Sequence, residues 1–202
     1  MSFPDFFDAV PGIVVRDPLA ELLGAADGGL IEYRYADAVR LAGHSCPTVA
    51  GAWLLTTRAL RALYGDTAPE RGGIRVDFGE AQESGVAGVI AGIVGLVTGA
   101  AGIGGFKGLG GRHARRNLLH FAAPGVQGIR FRRLDGRGAL TVSLDLSPVP
   151  GDPEMGQLLP LLLQGQASAE QQARFGTLWQ DRVRRILIDH HDDPSLTEIV
   201  RA

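Results

Sequence analysis

The longest helical pattern in the chain covers residues 47–64. Its apolar residues recur at intervals of three, four and seven, which places them on one face of a helix. They include Val49, Trp53, Leu60 and Leu63. Pro47 suits the first position of such a helix, because a proline lacks only an N–H group that is unpaired there. The pattern therefore predicts a helix from about residue 47 to residue 64.

Other helices are marked by residues that cap their first turn. Asp17 precedes a proline and opens a short helix that ends at Gly24. Ser168 and Gln171 form a capping box, and an apolar stripe follows them. The stripe consists of Phe175, Leu178, Trp179, Val183, Ile186 and Leu187. Ser195 and Glu198 have the same spacing and predict one more short helix, and residues 36–43 predict another.

Strand patterns lie between these helices. Residues 30–35 and 73–78 predict one strand each, and residues 117–146 predict three, with a turn at the sequence DGRG. A proline-rich linker at 147–153 leads to the C-terminal helices. We therefore expect an α+β fold, with an antiparallel-rich sheet packed against helices. We expect residues 1–150 to form the core and residues 151–202 a helical segment packed on it, within a single domain.

A run of uncharged, glycine-rich residues spans positions 85–106. It has the length of a membrane span, and its glycines recur at a spacing that suits close helix packing in lipid. However, it is poor in large apolar residues, and no second span accompanies it. We therefore expect a buried helix covered by the sheet and by a second copy of the chain, and we do not expect a membrane protein.

Composition excludes several classes of protein. The chain has 202 residues, a formal net charge of −2 and no basic block, which argues against a nucleic-acid partner. Its one cysteine excludes an internal disulfide and an all-cysteine zinc finger within one chain. The N-terminal sequence lacks the pattern of a signal peptide. These features predict a cytoplasmic protein.

The single cysteine lies in the sequence AGHSCP, with His44 two residues before Cys46. In extended backbone, these two side chains point to one side, as metal chelation requires. A thiolate and an imidazole together suit zinc or another transition metal, and a helix N-terminus favours the thiolate. Two other interpretations remain open from the residues alone. Cys46 could be a small apolar core residue, or the nucleophile of a Cys-His pair.

The segment GIGGFKGLGGR, residues 102–112, is a second candidate site. It misses the dinucleotide-binding pattern because Lys107 occupies the third glycine position, and it misses the P-loop pattern because Phe106 precedes the lysine. Backbone amides of the loop could still bind an anion together with Lys107 and Arg112. The alternative function is therefore a non-catalytic module that binds a small ligand or cofactor through this loop.

The sequence G-H-S-C-P, followed by a helix rich in small residues, resembles the FmdE family of formylmethanofuran dehydrogenase proteins, which carries H-G-H-x-C-P-G. The family continues to a helix that ends in V-T-G-C-T-x-G-K-G-N-L. Residues 97–99 are identical to its first three residues, and residues 105–109 are a looser match. Val89, Gly92 and Ala100 stand where the family carries a cysteine, an aspartate and a second cysteine.

The resemblance implies an α+β core, a homodimer and a metal-associated pocket. It favours a protein that binds a transition metal, most consistent with zinc, through His44 and Cys46. His113, which follows the glycine-rich run, is the first candidate for a further ligand. The resemblance names no reaction or substrate, although redox or one-carbon chemistry would suit the family. His190 and His191 end a predicted helix, and we interpret them as structural or surface residues.

Overall fold

A computed structural model describes residues 3–201, and the fold is α+β. The helices are α1 (Phe6–Ala9), α2 (Pro18–Leu22), α3 (Tyr35–Ala42), α4 (Pro47–Tyr64), α5 (Ala87–Thr98), α6 (Glu154–Leu163) and α7 (Ala169–Arg184). The strands are β1 (Ile13–Arg16), β2 (Leu30–Tyr33), β3 (Ile74–Phe78), β4 (Leu119–His120), β5 (Ile129–Arg133), β6 (Ala139–Leu144) and β7 (Thr197–Arg201). A 3₁₀ turn at Asp27–Gly29 precedes β2, and a π-helical turn at Arg185–Asp189 extends α7.

The strands form two sheets. A five-stranded sheet has the order β4-β3-β5-β6-β7, and only its β3–β4 pair is parallel. β1 and β2 form a separate antiparallel pair. The predicted α+β class and the mostly antiparallel pairing are confirmed, and the three strands expected within residues 117–146 are β4, β5 and β6. The structure adds β1 and α1, which the sequence patterns did not predict.

Helix α4 lies at the centre of the core. Most of its residues are buried, including Trp53, Leu54 and Leu60, which are fully buried. Burial of each such apolar side chain stabilises the fold by about 1.5–3 kcal/mol. The helix also buries Thr56 and Thr57, whose hydroxyls donate to the carbonyls of residues four positions earlier, at 2.6 and 3.0 Å. These bonds satisfy the two hydroxyls. The indole Nε1 of Trp53, on the same helix, is buried without a hydrogen-bond partner within residues 3–201.

Helix α5 is shorter than the glycine-rich run at residues 85–106 in which it was predicted. It ends at Thr98 because Gly99 adopts a left-handed conformation with φ 72°, so residues 100–106 are not helical. One face packs in the core, but Val86 and Val89 on the opposite side are 48% and 41% exposed. Within one chain the glycine-rich helix is therefore buried on one side only. No helix in the described part of the chain is long and apolar enough to cross a membrane.

The C-terminal segment differs from the prediction at its end. Ser195 and Glu198 do not cap a helix, because residues 197–201 form β7, paired antiparallel with β6. Three of these five residues are β-branched, and the edge of β6 provides the hydrogen-bond partners that a strand needs. The segment after residue 150 therefore contributes an edge strand to the main sheet as well as α6 and α7.

The β5–β6 pair gives a test of the fold. Gly128 precedes β5 with φ 91°, and a Cβ atom there would lie 2.5 Å from the carbonyl oxygen of Val142. Gly136 has φ 75° but no atom within 4 Å of that position. Gly136→Ala should lower the free energy of unfolding by about 1–2 kcal/mol through backbone strain alone. Gly128→Ala should lower it by about 1–3 kcal/mol more, because the backbone must also move.

Urea unfolding of the two variants beside the wild type measures the difference. Equal losses in the two variants would contradict the close approach of β6 to Gly128.

Candidate metal centre

The sequence His44-Ser45-Cys46 forms a tight connection between two helices. Gly43 ends α3 in a left-handed conformation, with φ 75°. Cys46 has extended backbone and is the N-cap of α4, and Pro47 is its first helical residue. The connection is short because a left-handed glycine and a proline-initiated helix reverse the chain within a few residues.

Ser45 is held by side chains from two distant parts of the chain. Its carbonyl oxygen accepts hydrogen bonds from Trp179 Nε1 at 3.0 Å and from Gln180 Nε2 at 3.1 Å, both on α7. Its hydroxyl donates to Gln180 Oε1 at 3.0 Å. Tyr35, at the start of α3, bonds the same hydroxyl oxygen at 2.9 Å. Four hydrogen bonds therefore fix the residue between His44 and Cys46.

The direction of the Tyr35 bond follows from the network. The Ser45 hydroxyl uses its single proton on Gln180, so the Tyr35 hydroxyl must donate to Ser45 Oγ. Burial raises the pKa of Tyr35 well above its usual value, and the nearby Cys46 raises it further, although the Ser45 bond opposes this shift. Tyr35 is fully buried and packs edge-on against Phe7 and Trp53. The donor is therefore rigid and stays protonated.

His44 is exposed and oriented by the backbone. Its Nδ1 atom lies 2.9 Å from the carbonyl oxygen of Ala42. A carbonyl only accepts, so Nδ1 carries the proton, and the lone pair of the neutral ring is on Nε2. A histidine that binds a metal through one nitrogen commonly donates from the other to a carbonyl. The geometry at His44 fits that role.

Cys46 is nearly buried, with 9% of its surface exposed. Its Sγ atom accepts a hydrogen bond from the backbone N–H of Val49 at 3.4 Å, so the sulfur caps the first turn of α4. The N–H groups and the dipole at a helix N-terminus favour negative charge on the sulfur. The cysteine is therefore placed as a thiolate donor would be, and its packing in the core is also that of a small apolar residue.

The structure does not bring the other predicted site residues to this turn. Within residues 3–201, no three histidine, cysteine or acidic side chains form a group that could hold a metal ion. His113, the expected further ligand, lines a different cavity beside Arg115 and Arg116. Lys107 and Arg112 are exposed on the glycine-rich loop, and neither lines that cavity. Within the described residues, the structure therefore adds no third histidine, cysteine or acidic ligand at this turn.

The two adjacent histidines near the C-terminus make local contacts. His190 Nδ1 lies 2.8 Å from a carboxylate oxygen of Asp193. His191 Nε2 accepts from Arg61 at 3.1 Å, since a guanidinium only donates. Both rings therefore tie the end of the π-helical turn to its neighbours.

Sequence reasoning identified His44 and Cys46 but missed the residues that fix them. Trp179 belonged to the predicted apolar stripe of α7, and it was interpreted only as core. An indole N–H that is buried needs an acceptor, which is the one signal that could have suggested a polar contact. Nothing local identifies Gln180 as its companion, because its partner lies 135 residues away along the chain.

A second polar cluster lies at the C-terminal end of α5, where Arg71 donates to the carbonyl oxygen of Leu96. Asp17 is almost fully buried, and it forms ion pairs with Arg71 and Arg115. Burial by itself would raise the pKa of this carboxyl, but the hydrogen bond from Arg71 and the charge of Arg115 hold the pKa below its usual value. The sequence indicated only the capping role of Asp17, which the bonds to Leu19 and Ala20 confirm.

Comparison with known proteins assigns the chain to no family. No family model matches the chain, and no curated protein matches it. The resemblance to the FmdE family stays a prediction from the residues at and after the turn.

The four bonds to Ser45 predict the reactivity of Cys46. Gln180→Ala removes two of them, which should loosen the turn and raise the rate of Cys46 alkylation several-fold under native conditions. Gln172→Ala is the matched control, because Gln172 is an exposed glutamine on the same helix. It should leave the rate unchanged.

Alkylation by iodoacetamide, followed by intact-mass spectrometry, measures both rates. The role of the network in positioning Cys46 would be contradicted by equal rates in the two variants and the wild type.

Proposed function

We propose that the protein binds one transition metal ion per chain, most consistent with zinc, through Nε2 of His44 and Sγ of Cys46. The observation that carries the proposal is the fixed turn between them. Ser45 makes all four hydrogen bonds described above, so the backbone that carries both donors is ordered before any metal arrives. Preorganised ligands bind more tightly because little conformational entropy is lost on binding.

The donor set supports zinc over the hard cations. Thiolate sulfur and imidazole nitrogen are the commonest zinc ligands, whereas magnesium and calcium prefer oxygen. The hydrogen bond from His44 Nδ1 to Ala42 leaves the other ring nitrogen for a metal, as in other histidine-metal sites. The N–H of Val49 and the start of α4 stabilise the negative charge that a thiolate ligand requires.

Two protein ligands leave about two of the four positions around zinc open. Such positions are filled by water, by a small-molecule ligand or by donors from a second chain. Closed structural zinc sites use four protein ligands. A site with two protein ligands is closer to one at which a small molecule binds to the metal. The resemblance to the FmdE family points in the same direction, toward redox or one-carbon chemistry on a substrate that the site does not identify.

Metal content tests the proposal. Wild-type protein purified without chelator should carry about one transition metal per chain, and Cys46→Ser and His44→Ala should each lower that content several-fold, because each removes half of the protein ligands. Inductively coupled plasma mass spectrometry of the untagged protein provides the measurement. Circular dichroism establishes that each variant is folded.

His113→Ala is the matched control, since His113 lines a different cavity, and it should retain the wild-type metal content. Equal metal content in the wild type, Cys46→Ser and His44→Ala would rule out the site.

We also propose that the protein is a homodimer that associates through the exposed face of α5. Val86, Val89 and Gly92 form this face, and all three are exposed in a single chain. Apolar residues exposed in a row on a helix are costly in water and suit a protein interface. In a twofold dimer, Gly92 of one chain would lie close to Gly92 of the other chain, and the absence of side chains would permit this close approach.

The Gly92→Leu variant tests the dimer contact without disturbing the fold of the single chain. A Cβ atom at this position meets no atom within 4 Å, so the single chain tolerates the leucine, and helix propensity favours it by about 1 kcal/mol. The dimer should nevertheless dissociate, because the leucine overpacks the interface. Gly176→Leu on α7 is the control, since Gly176 is also helical with no atom within 4 Å.

Multi-angle light scattering should give a dimer for the wild type and Gly176→Leu, and a monomer for Gly92→Leu. A monomeric wild type at high micromolar concentration would end this proposal.

A further inference from the structure

A cavity of about 290 Å³ lies beside the glycine-rich loop, and no residue of the His44–Cys46 turn lines it. Its walls come from two segments, residues 70–72 and residues 113–116. Pro18, Leu118 and Leu134 complete the lining. The volume is at the lower end of the range for small-molecule sites.

The cavity has an excess of positive charge. Arg71, Arg115 and Arg116 line it, and the acidic groups that face it are Glu70 in the wall and Asp17 beneath. Three guanidinium groups against two carboxylates give a net charge of +1. His113 also lines the cavity, and it adds a further positive charge whenever it is protonated.

Arg115 is the buried arginine of the three that line the cavity. Its side chain is only 8% exposed, and it shares the Asp17 carboxylate with Arg71. Its Nε atom is buried and has no hydrogen-bond partner within residues 3–201. Burial lowers the pKa of Arg115, and the charge of Arg71 lowers it further, although Asp17 and Glu70 oppose the shift. Asp17 therefore pairs with the Arg115 guanidinium but leaves one of its donors, Nε, without an acceptor within residues 3–201.

Two glycines make room for these guanidinium groups. The Arg115 guanidinium occupies the space that a side chain at Gly72 would need, since its Nη1 atom overlaps the ideal Cβ position. A Cβ atom at Gly99 would lie 3.0 Å from Arg71 and 3.2 Å from Arg115. Both glycines have positive φ, at 84° and 72°, so the backbone there requires glycine for conformation as well as for space.

The second wall holds a strained residue. His113 has φ 59°, a conformation that a residue with a side chain seldom adopts. Such strain persists where the surrounding structure enforces it, and it is common at binding sites. Arg116, three residues later, is exposed, and its side chain makes no ion pair with any residue in the described part of the chain. Arg116 and His113 are therefore available as donors at the mouth of the cavity.

We infer that this cavity binds the oxyanion group, a carboxylate or a phosphate, of a small molecule. Asp17 and Glu70 balance the charges of Arg71 and Arg115, so the net positive charge of the cavity comes from Arg116, which donates to the oxyanion together with His113. A guanidinium presents two parallel N–H groups that match either type of oxyanion. The site goes beyond the proposed metal function, and it involves neither Lys107 nor Arg112.

Isothermal titration calorimetry with inorganic phosphate and with succinate, at constant ionic strength, tests the inference. The wild type should bind one of the two with a Kd below about 1 mM. Arg116→Gln should weaken that binding by at least about tenfold, because a charge-assisted hydrogen bond is lost. Arg132→Gln is the control, since Arg132 is also exposed but lies on β5 and does not line the cavity.

Binding of phosphate would identify the ligand group as a phosphate, and binding of succinate would identify it as a carboxylate. Binding of either anion supports the site if Arg116→Gln weakens that binding and Arg132→Gln does not. Absence of heat with both anions up to about ten times that Kd would overturn the inference. Equal weakening in the two arginine variants would also overturn it, because the effect would then reflect net charge alone. Metal content has no part in this readout, so the two proposals fail independently.

Discussion

Burial of α4 is the constraint on which the rest of the structure depends. The main sheet, α3, α5, α7 and the π-helical turn that follows α7 all pack against this helix. Its two threonines bond their own backbone, so their hydroxyls can be buried. A helix enclosed in this way has a fixed position and a fixed N-terminus. Cys46 is the cap of that N-terminus, so the packing of the core also sets the position of the sulfur.

The turn before α4 depends equally on residues far away in the sequence. Trp179 and Gln180 on α7 contact Ser45 across 134 and 135 residues of sequence, and Tyr35 contacts it from the start of α3. The arginine cavity lies toward the other end of α4, because Glu70 lines both this cavity and a neighbouring one that Tyr64 contacts. α4 begins directly after the His44–Cys46 turn, and no residue of that turn lines the arginine cavity. The turn and the cavity are therefore built from different residues of one chain.

Local sequence patterns predicted the main helices and strands of the fold, but they did not predict the strand at the edge of the main sheet. The helix at residues 47–64 and the Ser168 capping box were predicted correctly, because spacing and capping act within a few residues. The strand at residues 197–201 was predicted as a helix, since its pairing with β6 is a tertiary effect. For the site, spacing identified His44 and Cys46, but no local signal could show that His113 lies in a different cavity or that Ser45 is clamped.

The most direct test of the central claim is X-ray absorption spectroscopy at the zinc edge on protein loaded with one equivalent of zinc. A site built on the fixed turn should show one sulfur scatterer at about 2.3 Å and imidazole nitrogen at about 2.0–2.1 Å. The sulfur shell should disappear in Cys46→Ser. A wild-type spectrum that contains only oxygen and nitrogen scatterers would contradict the account.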